Sequence, residues 1–221
     1  MKYNPGKAYT VPMAYLVLVR HGLSDYNKKG LWTGWDNPPL IEEGRQQAQK
    51  TANELKDIHF DYAYSSDQIR SVETLKEILN NLGQDTQITE DKRIRERDYG
   101  IYTKKNKWEV KKELGEDEFQ KLRRGWDYPI PQGESLKQVS EREIPFYKEL
   151  LEPKLKEGKN ILIGSSGNAL RALAKYLEKI PDENIAGLEI GTGEAYVYQI
   201  NSEGKVIHKE VRGKNPLAGK I

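Results

Sequence analysis

The chain has 221 residues, with 36 Lys+Arg against 34 Asp+Glu, 36% hydrophobic residues, three histidines and no cysteine. This length suits one large domain or two small ones and can bury a full hydrophobic core. The lack of cysteine excludes disulfides, thiol nucleophiles, thiolate metal sites and iron–sulfur clusters, and a net charge of +2 argues against a general nucleic-acid binder. A soluble, cytoplasmic protein is expected, with His21, His59 and His208 as its only imidazoles.

The first stretch, 1–13, reads as a lead-in. The apolar run 15–19 is too short for a signal peptide or for a membrane span of about 20 residues. Its β-branched residues make 16–19 a buried strand. Ala48, Ala52 and Leu55 recur at helical spacing and predict a helix over 42–55. A short strand over 62–64 opens onto Ser65 and Ser66, and a helix over 67–79 follows with Ile69, Val72, Leu75, Ile78 and Leu79 on one face. The region 104–155 is strand-poor, charged and helical, and is expected to be a cap within a single domain over 1–221. Pro145 or Pro153 should kink or end its last helix. A buried strand over 161–163, a helix over 168–178 and a hairpin pairing 197–200 with 206–209 complete the chain. Strands alternating with helices predict an α/β fold: three layers, a mainly parallel central sheet, helices on both faces.

Ligands of open α/β sheets bind beyond the carboxyl ends of the strands. Three segments have that placement: Arg20-His21-Gly22-Leu23-Ser24, Ser65-Ser66 with the helix bearing Arg70, and Ser165-Ser166-Gly167-Asn168. If they are neighbours, an imidazole, two guanidiniums and several hydroxyl and backbone donors converge on one crevice. That inventory suits a phosphate ester. Arginine pairs bidentately with phosphate oxygens, helix N-termini offer free N–H groups, and a neutral imidazole can attack phosphorus.

Arg20-His21-Gly22, Ser24, Asn27 and Trp32-Thr33-Gly34-Trp35 resemble the histidine phosphatase superfamily. Glu96-Arg97, Tyr99-Gly100, Asn106-Lys107 and Arg123-Arg124-Gly125 are more narrowly similar to its 2,3-bisphosphoglycerate-dependent phosphoglycerate mutases, over about 15–213. The resemblance implies a phosphohistidine at His21, held by Arg20 and Arg70, with Glu96 moving the substrate hydroxyl proton. It places Gly22, Ser24, Asn27, Thr33, Gly34, Tyr99, Lys107, Arg123, Arg124, Gly167 and Asn168 around the substrate's phosphate and carboxylate. It implies a small phosphoglycerate substrate, 2,3-bisphosphoglycerate as primer, no metal, no nucleic acid and no membrane, and leaves a homo-oligomer open. The reaction implied interconverts 3-phosphoglycerate and 2-phosphoglycerate in glycolysis and gluconeogenesis.

One departure stands out. Ser166 occupies the position of the family's second active-site histidine, between close flanking matches. Serine offers a hydrogen bond but no positive charge. An intact site with reduced turnover is expected, and a phosphatase or a silent phosphoglycerate-binding protein remain alternatives. Asp98 should add negative charge near the substrate entrance, and the segment 126–135 is short for the family. Trp32 and Trp35 suit either a buried pair under a loop or a shaped substrate mouth. Lys104, Lys105, Lys111 and Lys112 read as solvated charges, His59 and His208 as structural or surface residues, and Glu194 has no evident role.

Overall fold

The computed structural model describes residues 13–216, so the lead-in up to residue 12 lies outside the described residues. Strand β1 (Met13–Arg20) alternates its contacts: Leu16 and Leu18 pack on one face of the sheet, Val17 and Val19 on the other. A run without polar alternation is a strand here because both its faces are buried. Helix α1 (Asp25–Lys28) is a single turn capped by Ser24. Helix α2 (Glu42–Glu54), β2 (Tyr62–Ser65) and α3 (Ile69–Leu82) follow the apolar spacing closely. Strand β3 (Ile88–Glu90), three residues long, carries no periodicity that a sequence reading could use.

The remaining elements are α4 (Lys107–Leu114), α5 (Glu116–Arg124), α6 (Leu136–Phe146), α7 (Glu152–Lys156), β4 (Ile161–Ser165), α8 (Gly167–Glu178), β5 (Ala195–Asn201) and β6 (Val206–Arg212). The sheet order is β3-β2-β4-β1-β5-β6. The first four strands pair in parallel, while β5 and β6 run antiparallel at one edge. The sheet is therefore mixed and mainly parallel, with α2 and α3 on one face and α6, α7 and α8 on the other.

The helical region 104–155 divides in two. α4 and α5 gather round a cluster of their own, with Val110, Phe119 and Leu122 against Trp32, Tyr99 and Ile130. α6 instead joins the layer covering the sheet, where Leu136 and Val139 meet Ala172 and Ile185. Pro145 does not end α6. The helical path continues through a π turn, Tyr147–Leu151, in which the Glu152 N–H reaches back to the Tyr147 carbonyl. This widened turn lies between Pro145 and Pro153, neither of which can donate to the regular ladder.

The segment leaving β1 crosses α2 at two glycines. A Cβ on Gly22 would lie 2.2 Å from the Gly44 carbonyl oxygen, and one on Gly44 would lie 2.1 Å from that of Leu23. Only bare backbone allows this approach, which fixes the chain directly after His21. Gly44→Ala is expected to lower the free energy of unfolding by about 1–3 kcal/mol, as overpacking does. Urea titration checks this, and an unchanged midpoint would contradict it.

Candidate active site

β2, β4 and β1 are adjacent, so the three strand ends singled out by sequence meet at one edge. Arg20 pairs with Ser165, and Ser65 with Gly164. The His21 N–H donates to the Ser165 carbonyl at 2.9 Å.

His21 is 3% exposed, and Arg70 and Ser166 are fully buried. His21 Nδ1 lies 2.7 Å from the Gly22 carbonyl oxygen, so that nitrogen carries the proton. This assignment comes from the hydrogen-bond network. Nε2 is left as the bare nitrogen, and it accepts from Arg70 Nε at 3.2 Å. Burial, together with the Arg70 and Arg20 cations, holds the imidazole well below its usual pKa range. A ring kept neutral near pH 7 keeps a lone pair for attack.

Arg70 spends its other donors on the chain. Nη1 reaches the Asp36 carbonyl at 2.9 Å, and Nη2 reaches the Gly34 carbonyl at 3.2 Å and Ser166 Oγ at 3.3 Å. Ser166 thus helps seat Arg70. Gly34, at φ +50°, contributes its carbonyl to this arrangement. Gln68 Nε2 donates to the same carbonyl at 2.9 Å, while Gln68 Oε1 accepts the Glu96 N–H at 2.9 Å. Ser24 caps α1 and donates to Asn27 Oδ1 at 2.9 Å, so its work is to position Asn27.

Above this buried group opens a hollow. Arg20, Asn27, Thr33, Glu96, Tyr99, Lys107, Arg123, Arg124, Gly167 and Asn168 line it, all of them sequence candidates. His21, Ser166, Arg70, Gly22, Ser24 and Gly34 are not among the wall residues. The glycine at 167 lets the Arg20 guanidinium lie across the start of α8, where a Cβ would meet it at 3.3 Å. The Tyr99 hydroxyl accepts from Asn168 Nδ2 at 2.7 Å and from Arg97 at 3.2 Å. Glu96 lines the hollow at 8% exposure, its Oε1 accepting the Arg97 N–H at 2.7 Å.

The wall is cationic. Burial and the like charges of Arg20 and Arg123 pull Lys107 down to about 8. Arg123 and Arg124 are also held below their usual range by burial, and guanidiniums so placed stay charged. Arg20 Nε is buried with no hydrogen-bond partner among the described residues. A polyanion such as a bisphosphate fits this surplus of donors and charge. Among the described residues no group of three or more His, Cys, Asp or Glu could hold a metal ion, and no helix is long and apolar enough to cross a membrane.

Asp98, Trp32, Trp35, Glu194 and Lys104 each take a definite place. Asp98 accepts the Gly100 N–H at 2.9 Å and does not line the hollow. Trp32 does both things open to it: it is buried against Tyr99, ring centroids 4.3 Å apart, and it lines the hollow. Trp35 is 45% exposed, its indole donating to the Glu96 carbonyl. Glu194 braces a loop by accepting the Gly191 N–H at 2.7 Å. Lys104 sits outside a helix and pairs with Asp36 at 3.1 Å. His59 and His208 are exposed, away from the site.

Three wall residues were not singled out from sequence: Leu31, Arg171 and Glu189. Arg171 lies one helical turn after Asn168 and donates to its Oδ1 at 2.7 Å, so helical spacing alone could have found it. Glu189 had no local cue.

The family model for the Histidine phosphatase superfamily (branch 1) matches residues 16–211. The chain belongs to this superfamily. It is 40% identical over 199 residues to the 2,3-bisphosphoglycerate-dependent phosphoglycerate mutase of Parvibaculum lavamentivorans, covering 89% of this chain and 95% of that relative. A solved phosphoglycerate mutase from Bacillus anthracis superposes with TM-score 0.75 at 25% identity, over 92% of this chain and 94% of its own. A mycobacterial glucosyl-3-phosphoglycerate phosphatase in complex with VO3 superposes with TM-score 0.78 at 24% identity, over 91% and 100%. That likeness speaks for the fold alone. The α/β fold is the phosphoglycerate mutase-like one.

Lys107 gives the site a pH dependence with a definite sign. The ammonium is charged below about 8 and neutral above it, and a bound phosphate favours the charged form. Affinity for sulfate, an oxyanion that stays doubly charged throughout, is expected to fall several-fold as pH rises from about 7 to about 9. In Lys107→Met that fall should flatten. Calorimetry at several pH values checks this, and a wild-type affinity that holds constant would contradict it.

Proposed function

We propose that the protein is a 2,3-bisphosphoglycerate-dependent phosphoglycerate mutase, interconverting 3-phosphoglycerate and 2-phosphoglycerate through a phosphohistidine at His21. The observation carrying this reading is a neutral imidazole at the end of β1, its Nε2 unprotonated, beside a wall of cations. The 40% identity to a mutase across nearly the whole chain supports it.

In this reading 2,3-bisphosphoglycerate supplies the phosphoryl group that charges His21. Arg70 Nε occupies the Nε2 lone pair in the resting site, so the guanidinium must turn from the ring to the phosphate oxygens as substrate arrives. Arg20 and Arg70 then balance the charge spread over the transferring group. Charged His21 passes its phosphoryl group to a hydroxyl of phosphoglycerate: an O–P bond forms, the N–P bond breaks, and the Glu96 carboxylate takes the hydroxyl proton. Transfer of the other phosphoryl group back to Nε2, with Glu96 returning the proton, restores the charged enzyme. Lys107, Arg123, Arg124 and Asn168 hold the part of the substrate that does not react. The step belongs to glycolysis and gluconeogenesis in the cytoplasm and uses no metal.

Ser166 sets the rate. It accepts from Arg70 but brings no cation to the phosphoryl group, and a missing donor of that kind costs about 100- to 1,000-fold. The same absence favours a second reading, a phosphatase in which water receives the phosphoryl group.

With 2,3-bisphosphoglycerate and 3-phosphoglycerate supplied, slow formation of 2-phosphoglycerate is expected, faster than release of inorganic phosphate. Ser166→His should raise kcat by about 100-fold or more, and His21→Ala should abolish product. Phosphate released faster than 2-phosphoglycerate would establish the phosphatase instead. A Ser166→His variant no faster than wild type would remove residue 166 as the cause of slow turnover.

A further inference from the structure

Glu189 projects into the cationic hollow from a backbone pinned on three successive carbonyls. Arg171 Nε donates to Leu188 O at 2.9 Å, the Tyr196 hydroxyl to Glu189 O at 2.8 Å, and Arg20 Nη1 to Ile190 O at 2.6 Å. Its side chain is 24% exposed, and its carboxylate bridges two wall arginines: Oε1 lies 3.6 Å from Arg20 Nη1, and Oε2 pairs with Arg124 Nη1. The other wall carboxylate, Glu96, forms no ion pair among the described residues and serves its neighbour's N–H instead.

A carboxylate held by guanidiniums from the ends of β1 and α5 has the surroundings that a ligand's own anionic group would need. We propose that Glu189 is an internal anion that fills, at Arg124, the subsite for the substrate's second anionic group, the one not transferred, and that this group binds by displacing it from Arg124. The inference rests on the phosphoglycerate reading of the pocket. Glu189 then selects for ligands: only a molecule whose second anion outcompetes a tethered carboxylate releases Arg124. The fixed backbone means that displacement is a side-chain rotation about a stationary anchor. The cost falls on affinity, because a site open in a fraction of molecules binds more weakly by that fraction.

The test compares two ligands by calorimetry on wild type and on the near-isosteric Glu189→Gln. 3-Phosphoglycerate carries a phosphate and a carboxylate, while glycerol 1-phosphate carries the phosphate alone. If the resting pair is closed in about nine molecules in ten, Glu189→Gln tightens 3-phosphoglycerate about tenfold and glycerol 1-phosphate less than about twofold. Equal tightening of both would mean a general field effect and would overturn the proposal. Weaker or unchanged binding of 3-phosphoglycerate, or no measurable binding of either ligand to either protein, would overturn it too. Turnover is not part of the readout. The ligand-dependent difference therefore stands or falls separately from mutase activity, which the 2-phosphoglycerate assay measures.

Discussion

The active-site edge of this fold depends on arginines that are held by main-chain carbonyls. Arg20 is anchored on Ile190, Arg70 on Gly34 and Asp36, Arg97 on Leu122 and Arg123, and Arg171 on Ile185, Leu188 and Arg124. A carbonyl oxygen satisfies a guanidinium's donors and fixes its direction without cancelling its charge. More carboxylate partners would have steadied the same side chains while neutralising the pocket; Glu189, set against Arg20 and Arg124, is the exception. The positive charge left over is what an anionic substrate can use, and burial together with the like charges of Arg20 and Arg123 depresses the Lys107 pKa.

The same bonds hold the architecture together. Residues 185–190 are held at the site by Arg171 and Arg20, which reach them from α8 and β1, and by the Tyr196 hydroxyl. The end of α5 is tied down by Arg97 and Arg171, which brings Arg123 and Arg124 over the strand ends. Arg142 of α6 binds the carbonyls of Arg93, Arg95 and Glu96 in turn, fixing the stretch that presents Glu96. Site and scaffold share one network, so charge for binding and connection between layers come from the same residues.

Much of this was legible in the sequence where a rule acts locally. β1 and β4 show as short apolar runs because both faces of each are buried, and α3 and α8 show by spacing because one face of each is apolar. His21, Arg70 and Ser166 were placed by following each strand to its end, and adjacency of β2, β4 and β1 joined them. What resisted reading depends on distant partners. α3 starts at Ile69 because Gln68 is extended and bonded to Gly34 and Glu96, and Asp67 is taken by Arg95. The π turn after Pro145 answers to two prolines at once. Glu189 acquires its meaning only from Arg20 and Arg124, which the fold brings from other ends of the chain.

The central claim is that a neutral His21 Nε2, beside guanidiniums seated on main-chain carbonyls, accepts a phosphoryl group. Phosphorus-31 NMR of the protein after incubation with 2,3-bisphosphoglycerate, with peptide mass mapping of the same sample, tests it most directly. The account predicts one phosphorus signal from an acid-labile, alkali-stable N–P linkage, mapped to His21 and absent in His21→Ala. A protein that turns over phosphoglycerate with no such signal, or with the label on another residue, would contradict it.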